Sequence, residues 1–202
     1  MTRIITLLTL VALVGISSCA QPSQQATLTP EQQAAIDNIM TRTSIRSWED
    51  KAVPAELVEV LLRAGMAAPT AVNRQPWHFV VLDKREKIDL LASGRGGGMV
   101  RKAPLAIVVC GDMTLALEGD AREFWVQDAS AATENILLAA NAVGLGAVWT
   151  GVYPIADRVN QVREALSLNE SLVPLCVILV GYPHEHPTPK DKWNPDKVSR
   201  LN

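Results

Sequence analysis

The hydrophobic positions of the chain recur first at helical spacing. Thr29-Pro30-Glu31 has the composition of a helix start, and the apolar residues that follow it, up to Met40, fall at every third or fourth position. A second helix is predicted to begin at Pro54-Ala55-Glu56 and to end before Pro69, because its apolar residues form one stripe. Two amphipathic helices therefore precede the first predicted strand.

Continuous apolar runs with many β-branched residues then predict four strands, at 77–82, 105–111, 147–150 and 173–182. Between them the spacing predicts helices over 83–92, 122–143 and 155–166. The helix over 122–143 is nearly apolar after Asn135, which predicts that it is central and buried. Helices and strands interleave irregularly and without an internal repeat, so the pattern predicts one α+β or α/β domain.

The composition is that of a folded globular chain, with 202 residues, of which 48% are hydrophobic and 20% charged. Lys and Arg number 19 against 21 Asp and Glu, which gives a formal net charge of -2, and there is no long basic run. Binding of a polyanion requires a concentrated basic field. The sequence therefore predicts no nucleic-acid partner.

The N-terminus has the layout of a secretory signal, with Arg3 followed by an apolar run over 4–16 and then small residues. This run is shorter than the roughly 20 residues of a spanning helix, so a permanent transmembrane segment is the weaker alternative. Ile16-Ser17-Ser18-Cys19 resembles the bacterial lipobox, whose cysteine becomes the lipid-modified first residue of the mature protein. The resemblance implies that Cys19 carries a lipid anchor.

These features predict a signal peptide over 1–18, a flexible tether over 19–29 and a single domain with a C-terminal extension over 30–202. The expected location is the bacterial cell envelope, with membrane contact through the lipid anchor only. Ala20 lacks the acidic character that retains some bacterial lipoproteins at the inner membrane, which favours the periplasmic face of the outer membrane.

The cysteine and histidine pattern favours no metal site. Cys110 and Cys176 lie inside apolar runs, where a buried thiol is the usual occupant, although a disulfide between them is an alternative in an oxidising compartment. His184 and His186 flank Glu185 in a polar segment without a nearby third ligand, so solvated side chains are the simpler interpretation.

Two glycine clusters do not fit a dinucleotide-binding loop. The cluster at 94–98 follows a predicted helix, and the cluster at 144–146 opens a predicted strand, whereas the dinucleotide motif joins a strand to a helix. A flexible loop and a helix stop are predicted instead. The sequence also contains no standard P-loop, GxSxG or HExxH motif.

Two polar segments predict a functional site. Arg42-Thr43-Ser44-Ile45-Arg46 places two guanidinium groups and a hydroxyl at alternate positions, which on an extended segment would point the same way and clamp an oxyanion. The loop over 68–77 lies between a predicted buried helix and a strand and is rich in residues that restrict the backbone or form hydrogen bonds.

Together these two segments resemble motifs of the nitroreductase family of flavin mononucleotide (FMN) enzymes. Further matching motifs follow in family order, and they are Lys102-Ala103-Pro104, the helix over 128–140, the segment 144–151 and Gly181-Tyr182-Pro183. The resemblance implies an α+β three-layer sandwich, with a mainly antiparallel central sheet flanked by helices. It also implies an intertwined homodimer with two FMN sites at the subunit interface.

The resemblance assigns roles to three groups of residues. One group would hold the FMN phosphate and ribityl chain, and it consists of Arg42, Ser44, Arg46, Lys190 and Lys192. A second group would reach the flavin ring from the other subunit, namely Pro69, Thr70, Ala71 and Asn73, with Gln75 supporting the loop. The backbone of Thr150 and Gly151 would pass near the reactive nitrogen of the ring.

The activity implied is that of an FMN-dependent oxidoreductase that reduces nitro-compounds, quinones or similar small acceptors by a ping-pong mechanism, with NAD(P)H as a possible donor. No catalytic side chain is expected, because the flavin carries the chemistry. Two alternatives remain open. One keeps the fold but changes the flavin chemistry to dehalogenation or oxidation, with 94–101 or 112–122 as a lid, and the other is a ligand-binding lipoprotein without turnover.

Overall fold

The computed structural model describes residues 28–93 and 97–201. The predicted signal peptide, Cys19 and most of the tether lie outside the described residues. The helices are α1 (Pro30–Thr41), α2 (Ala55–Met66), α3 (Arg85–Ile88), α4 (Gly97–Val100), α5 (Phe124–Ala142) and α6 (Ala156–Leu166). The strands are β1 (Trp77–Leu82), β2 (Leu105–Asp112), β3 (Gly146–Gly151) and β4 (Leu172–Gly181).

The four strands form one sheet in the order β1-β2-β4-β3, and all three strand pairs are antiparallel. Strand β3 is an edge strand, which pairs with β4 from Gly146 opposite Gly181 to Gly151 opposite Cys176. The two longest strands, β2 and β4, lie in the middle and are almost fully buried. This is the α+β fold with an antiparallel sheet that the family resemblance predicts.

Helices cover both faces of the sheet. Helices α2 and α5 pack on one face, where Leu61 and Ile136 meet Ile178 of β4. Helices α3, α4 and α6 pack on the other face, where Ile88 meets Leu179. Alternate strand residues point to opposite faces, so each central strand contributes to both cores. None of the helices in the described part of the chain combines the length and the apolar character needed to cross a bilayer.

Several predicted helix boundaries shift by one or two residues. The helix predicted over 122–143 begins at Phe124, after a 3₁₀ turn at Gly119–Glu123, and the helix predicted over 83–92 is α3 followed by a 3₁₀ turn at Asp89–Ala92. The prediction of a flexible loop through 94–98 is wrong at its end. Gly97 and Gly98 start the short helix α4, which is held in place by its last residue, Val100, in the core.

The two described cysteines are free and buried on opposite faces of the sheet. Cys110 belongs to the core under α3 and α6, whereas Cys176 belongs to the core under α5 and lies 3.5 Å from the Thr133 hydroxyl. Burial raises the pKa of each thiol to about 12. The structure therefore favours two inert core thiols over the disulfide alternative.

Candidate functional site

The segment 42–46 lies along the outer edge of β3. The Ile45 N–H donates to the Ala147 carbonyl at 3.0 Å, and Ser44 forms a parallel bridge with Ala147. This close approach requires glycine at position 146, because a Cβ there would lie 2.7 Å from the Ile45 side chain. The Trp48 indole N–H donates to the Gly146 carbonyl at 2.9 Å and fixes the end of the segment.

The C-terminal segment after β4 is tied to the same region. The His184 N–H donates to the Ser47 carbonyl at 3.0 Å, and the Glu49 N–H donates to the Tyr182 carbonyl at 2.9 Å. Within the segment 42–46, which we call the clamp, the Arg46 N–H donates to the Glu185 carboxylate at 2.6 Å. These bonds bring residues 187–193 over the segment 42–46.

Between the two segments lies a cavity of about 620 Å³, which we call the basic cavity. Its lining includes all five residues predicted to hold the phosphate and ribityl chain, which are Arg42, Ser44, Arg46, Lys190 and Lys192. The Glu134 carboxylate of α5 partly offsets this positive charge, since it lies 3.3 Å from Nε of Arg42. The structure thus brings together residues that are far apart in the sequence.

Thr150 and Gly151 stand at the other end of β3 and line a separate cavity of about 210 Å³. The Thr150 hydroxyl donates to the Val177 carbonyl at 2.7 Å, and the Val152 N–H donates to the Leu175 carbonyl, so both residues are tied to β4. In an antiparallel strand the N–H and C=O of one residue point to the same side, and the side alternates. The Gly151 N–H therefore points away from β4, as the Ala147 carbonyl does.

The polar loop after α2 is held in place by α5. The buried carboxylate of Asp128, which is 6% exposed, accepts the Ala71 N–H at 2.8 Å. Within the loop the Thr70 hydroxyl accepts the Gln75 N–H at 3.1 Å, and the Gln75 amide donates to Asn73 Oδ1 at 3.0 Å. Gln75 is thus bonded to both Thr70 and Asn73, while its role in a flavin site stays a prediction.

Strain marks this loop as a functional candidate. Val72 has φ 51°, and Asn73 and Gln75 have φ 56° and 52°, a left-handed region that is unfavourable for a β-branched residue. The predicted ring-contacting residues of this loop, which are Pro69, Thr70, Ala71 and Asn73, line neither the basic cavity nor the cavity at Gly151. Their contribution to a site in a partner subunit stays a prediction.

Three polar residues that hold parts of the candidate site in place were not predicted from the sequence. Asp128 anchors the loop, Glu185 anchors the clamp, and the Arg158 guanidinium donates to the Gly151 carbonyl at 3.2 Å. Of the three, only Arg158 could have been noticed in the sequence, because a cation in the first turn of a helix is unfavourable with the helix dipole. Within residues 28–93 and 97–201, no three His, Cys, Asp or Glu side chains lie close enough together to hold a metal ion.

A family model matches the part of the chain that contains the sheet and the two polar segments before it. The nitroreductase family model matches residues 39–182, which include the clamp, the loop and the whole sheet. The chain belongs to the nitroreductase family. Among its relatives is a Methanothermobacter thermautotrophicus protein provisionally named NADH dehydrogenase/NAD(P)H nitroreductase, which is 47% identical over 165 residues, covering 81% of this chain and 84% of the relative.

Solved structures of nitroreductases have the same fold. A provisionally named NADH dehydrogenase/NAD(P)H nitroreductase from Parabacteroides distasonis superposes with a TM-score of 0.78 at 41% identity, covering 83% of this chain and 98% of that one. A provisionally named nitroreductase from Desulfovibrio desulfuricans, solved in complex with FMN, superposes with a TM-score of 0.73 at 32% identity, covering 87% and 99%. Nitroreductases are typically homodimers.

Proposed function

We propose that this chain is an FMN-dependent oxidoreductase that takes electrons from NAD(P)H and passes them to small oxidised acceptors such as nitro-compounds and quinones. The observation that carries the proposal is the basic cavity, in which two arginines, two lysines and a serine hydroxyl meet. The FMN complex of the Desulfovibrio desulfuricans relative and the provisional name of the Methanothermobacter relative support the cofactor and the donor.

The donor set of the basic cavity suits a phosphate monoester. Arg42 and Arg46 offer planar forks for bidentate hydrogen bonds to phosphate oxygens, while Lys190 and Lys192 act as point charges, and the Ser44 hydroxyl adds a neutral donor. Each charge-assisted bond contributes about 1.5–3 kcal/mol. Several such bonds would fix the phosphate end of FMN beside the start of β3.

The rest of the cofactor would then extend along the part of the β3 edge that lies beyond the segment 42–46. The Gly151 N–H faces this edge, and a Cβ at Gly151 would meet no atom within 4 Å, so the backbone is open to a planar ring. When bound, FMN accepts a hydride from the donor and passes two electrons to the acceptor. The protein would position the ring and supply a backbone hydrogen-bond donor near its reactive nitrogen.

A homodimer follows from the same proposal. Ile36, Ile39 and Met40 of α1 are exposed, and Val72 at the tip of the strained loop is 81% exposed. Apolar residues grouped in this way on one helix are typical of a protein interface. We infer that a second copy covers these residues and that each loop over 69–75 completes the flavin site of its partner.

The location is also a proposal. Cys19 in the lipobox-like segment would carry the acyl anchor, and the tether over 19–29 would hold the enzyme at the periplasmic face of the outer membrane. Metabolic labelling with a palmitate analogue in a bacterial host tests this, with Cys19→Ser as the control. Label in the Cys19→Ser variant, or none in the wild type, contradicts the proposal.

The central experiment is the visible spectrum of the purified full chain, before and after anaerobic addition of NADH or NADPH. We expect flavin bands that bleach with the donor and return with a nitroaromatic or quinone acceptor. Bands that persist after addition of NADH and NADPH would mean that the protein binds a flavin but receives its electrons from another donor. A colourless protein that gains no bands with added FMN contradicts the proposal and favours the ligand-binding alternative.

A variant pair links the spectrum to the basic cavity. Arg46→Ala together with Lys192→Ala removes two of the four cations, and the expected result is a loss of affinity for FMN of roughly 100-fold or more, at about 1.5–3 kcal/mol for each bond. Lys87→Gln on α3 is the matched control, because it removes one exposed positive charge outside the cavity lining. If the wild type, the double variant and Lys87→Gln bind FMN with equal affinity, the basic cavity does not hold the FMN phosphate.

A further inference from the structure

Arg158 occupies a position that helix electrostatics disfavours. It lies in the first turn of α6, where the helix dipole is positive and where an acid such as the neighbouring Asp157 is the favoured residue. A cation in this turn interacts unfavourably with the helix dipole. Among the ion pairs found in residues 28–93 and 97–201, none includes Arg158. The position of Arg158 therefore has no stabilising explanation within α6.

The side chain of Arg158 reaches back to the end of β3. Its Nη1 donates to the Gly151 carbonyl at 3.2 Å, and the guanidinium lines the cavity of about 210 Å³ together with Thr150 and Gly151. The other walls of this cavity are mainly apolar, and they include Leu91, Val100, Val162 and Val177. Arg158 is exposed in the single chain, but a planar ring lying against this apolar wall would displace water from beside the guanidinium and so reduce the screening of its charge.

The same contact fixes the backbone orientation of Gly151. The Val152 N–H donates to the Leu175 carbonyl, so one side of the peptide that follows Gly151 is tied to β4. Arg158 holds the Gly151 carbonyl on the opposite side of that peptide. Glycine has the freest backbone of all residues, and on the side away from β4 the end of an edge strand has no neighbouring strand to restrain it. Arg158 supplies that restraint.

We propose that Arg158 is a positioning residue that orients the Gly151 peptide and places a positive charge beside the FMN ring, so that the site binds reduced FMN more tightly than it otherwise would. This inference rests on the proposed FMN site. A hydride brings two electrons and one proton to the ring, which therefore gains one negative charge when the nicotinamide donor is oxidised. A cation that acts on this charge raises the reduction potential of the bound flavin.

The test compares Arg158→Gln, Arg158→Lys and the Lys87→Gln control in the full chain. The midpoint potential of bound FMN is measured by equilibrium titration with a reference dye, and the dissociation constant of oxidised FMN is measured by fluorescence. In Arg158→Gln we expect at least a tenfold loss of affinity for reduced FMN relative to oxidised FMN, which corresponds to a potential about 30 mV lower. Arg158→Lys is expected to recover part of the shift, and Lys87→Gln none.

A purely structural role for Arg158 gives a different result. It would lower the melting temperature, or weaken oxidised and reduced FMN equally, and leave the midpoint potential unchanged. An unchanged potential in Arg158→Gln therefore overturns the inference. Failure of the wild-type chain to bind FMN would instead overturn the proposed function, so the two failures are distinguishable.

Discussion

Gly146→Ala tests whether the segment 42–46, the proposed phosphate clamp, depends on its close contact with β3. The added Cβ would lie 2.7 Å from both Cγ1 and Cγ2 of Ile45, well inside the normal contact distance. Ile45 is buried and cannot move outward without moving the backbone of the segment 42–46. Relief of the overlap would therefore pull Ser44 and Arg46 out of register with the strand.

The size of the effect follows from known overpacking penalties. An extra buried methyl group in a well-packed core lowers stability by about 1–3 kcal/mol. For a domain of this length each kcal/mol corresponds to roughly 2–4 °C in Tm, so a decrease of roughly 2–12 °C is expected. Since FMN is proposed to need the undistorted clamp, its dissociation constant should rise within the same limits, by roughly 5- to 150-fold.

Thermal melts of the FMN-free protein and fluorescence titration with FMN measure the two effects. Gly98→Ala is the matched control, because a Cβ at Gly98 meets no atom within 4 Å. The double variant Ile45→Ala with Gly146→Ala removes Cγ1 and Cγ2 but keeps the Cβ of residue 45, which lies 2.8 Å from the new methyl group, so it should recover only a small part of the affinity lost in Gly146→Ala. If Gly146→Ala melts and binds FMN like the wild type, the packing of the clamp against β3 does not control the site.

Asp128→Ala leaves a loop amide without its acceptor and should lower stability by about 1.5–3 kcal/mol, measured by urea unfolding, whereas Asp128→Asn retains an oxygen acceptor and should lose less. Because burial raises the pKa of Cys110 and Cys176 to about 12, neither thiol should react with a thiol reagent at pH 8 until the protein is unfolded, and rapid modification of the folded Cys19→Ser variant, whose only cysteines are these two, would contradict their burial. The Glu123 carboxylate accepts a hydrogen bond from Tyr153 and raises the pKa of that phenol. The stability difference between the wild type and Tyr153→Phe should therefore be complete below pH 10, the ordinary Tyr value, and disappear as the pH rises through the raised pKa, whereas a difference that grows with pH would show the opposite sign.

The fold was predictable because each buried strand is a continuous apolar run with clear ends. The predicted strand over 77–82 agrees with β1 at both ends, and the glycine at 144, with φ 77°, ends α5 where the glycine cluster predicts a stop. Helix starts were less predictable. The first turn before Phe124 is 3₁₀, a difference that depends on local hydrogen bonds rather than on hydrophobic spacing.

The site was predictable where its residues are neighbours in the sequence. Arg42, Ser44 and Arg46 form one short motif, whereas Lys190 and Lys192 could be connected to them only through the family resemblance. Asp128 accepts a hydrogen bond from the backbone N–H of Ala71, which lies 57 residues away in the sequence. No rule of sequence spacing relates a helix carboxylate to such a loop. Contacts of this kind depend on packing between elements, which a single sequence does not specify.

The carboxylates around the basic cavity explain how one chain can gather four cations before a ligand is present. Like charges in one cavity repel, but Glu134 pairs with Arg42 at 3.3 Å, and Asp191, which stands between the two lysines in the sequence, also lines the cavity. Glu185 binds a backbone N–H of the clamp rather than a guanidinium, so it orders the segment without occupying a phosphate donor. A bound dianion would thus meet donors that are already in place. Its net binding free energy is that of its own contacts less that of the Arg42–Glu134 ion pair, which it would displace.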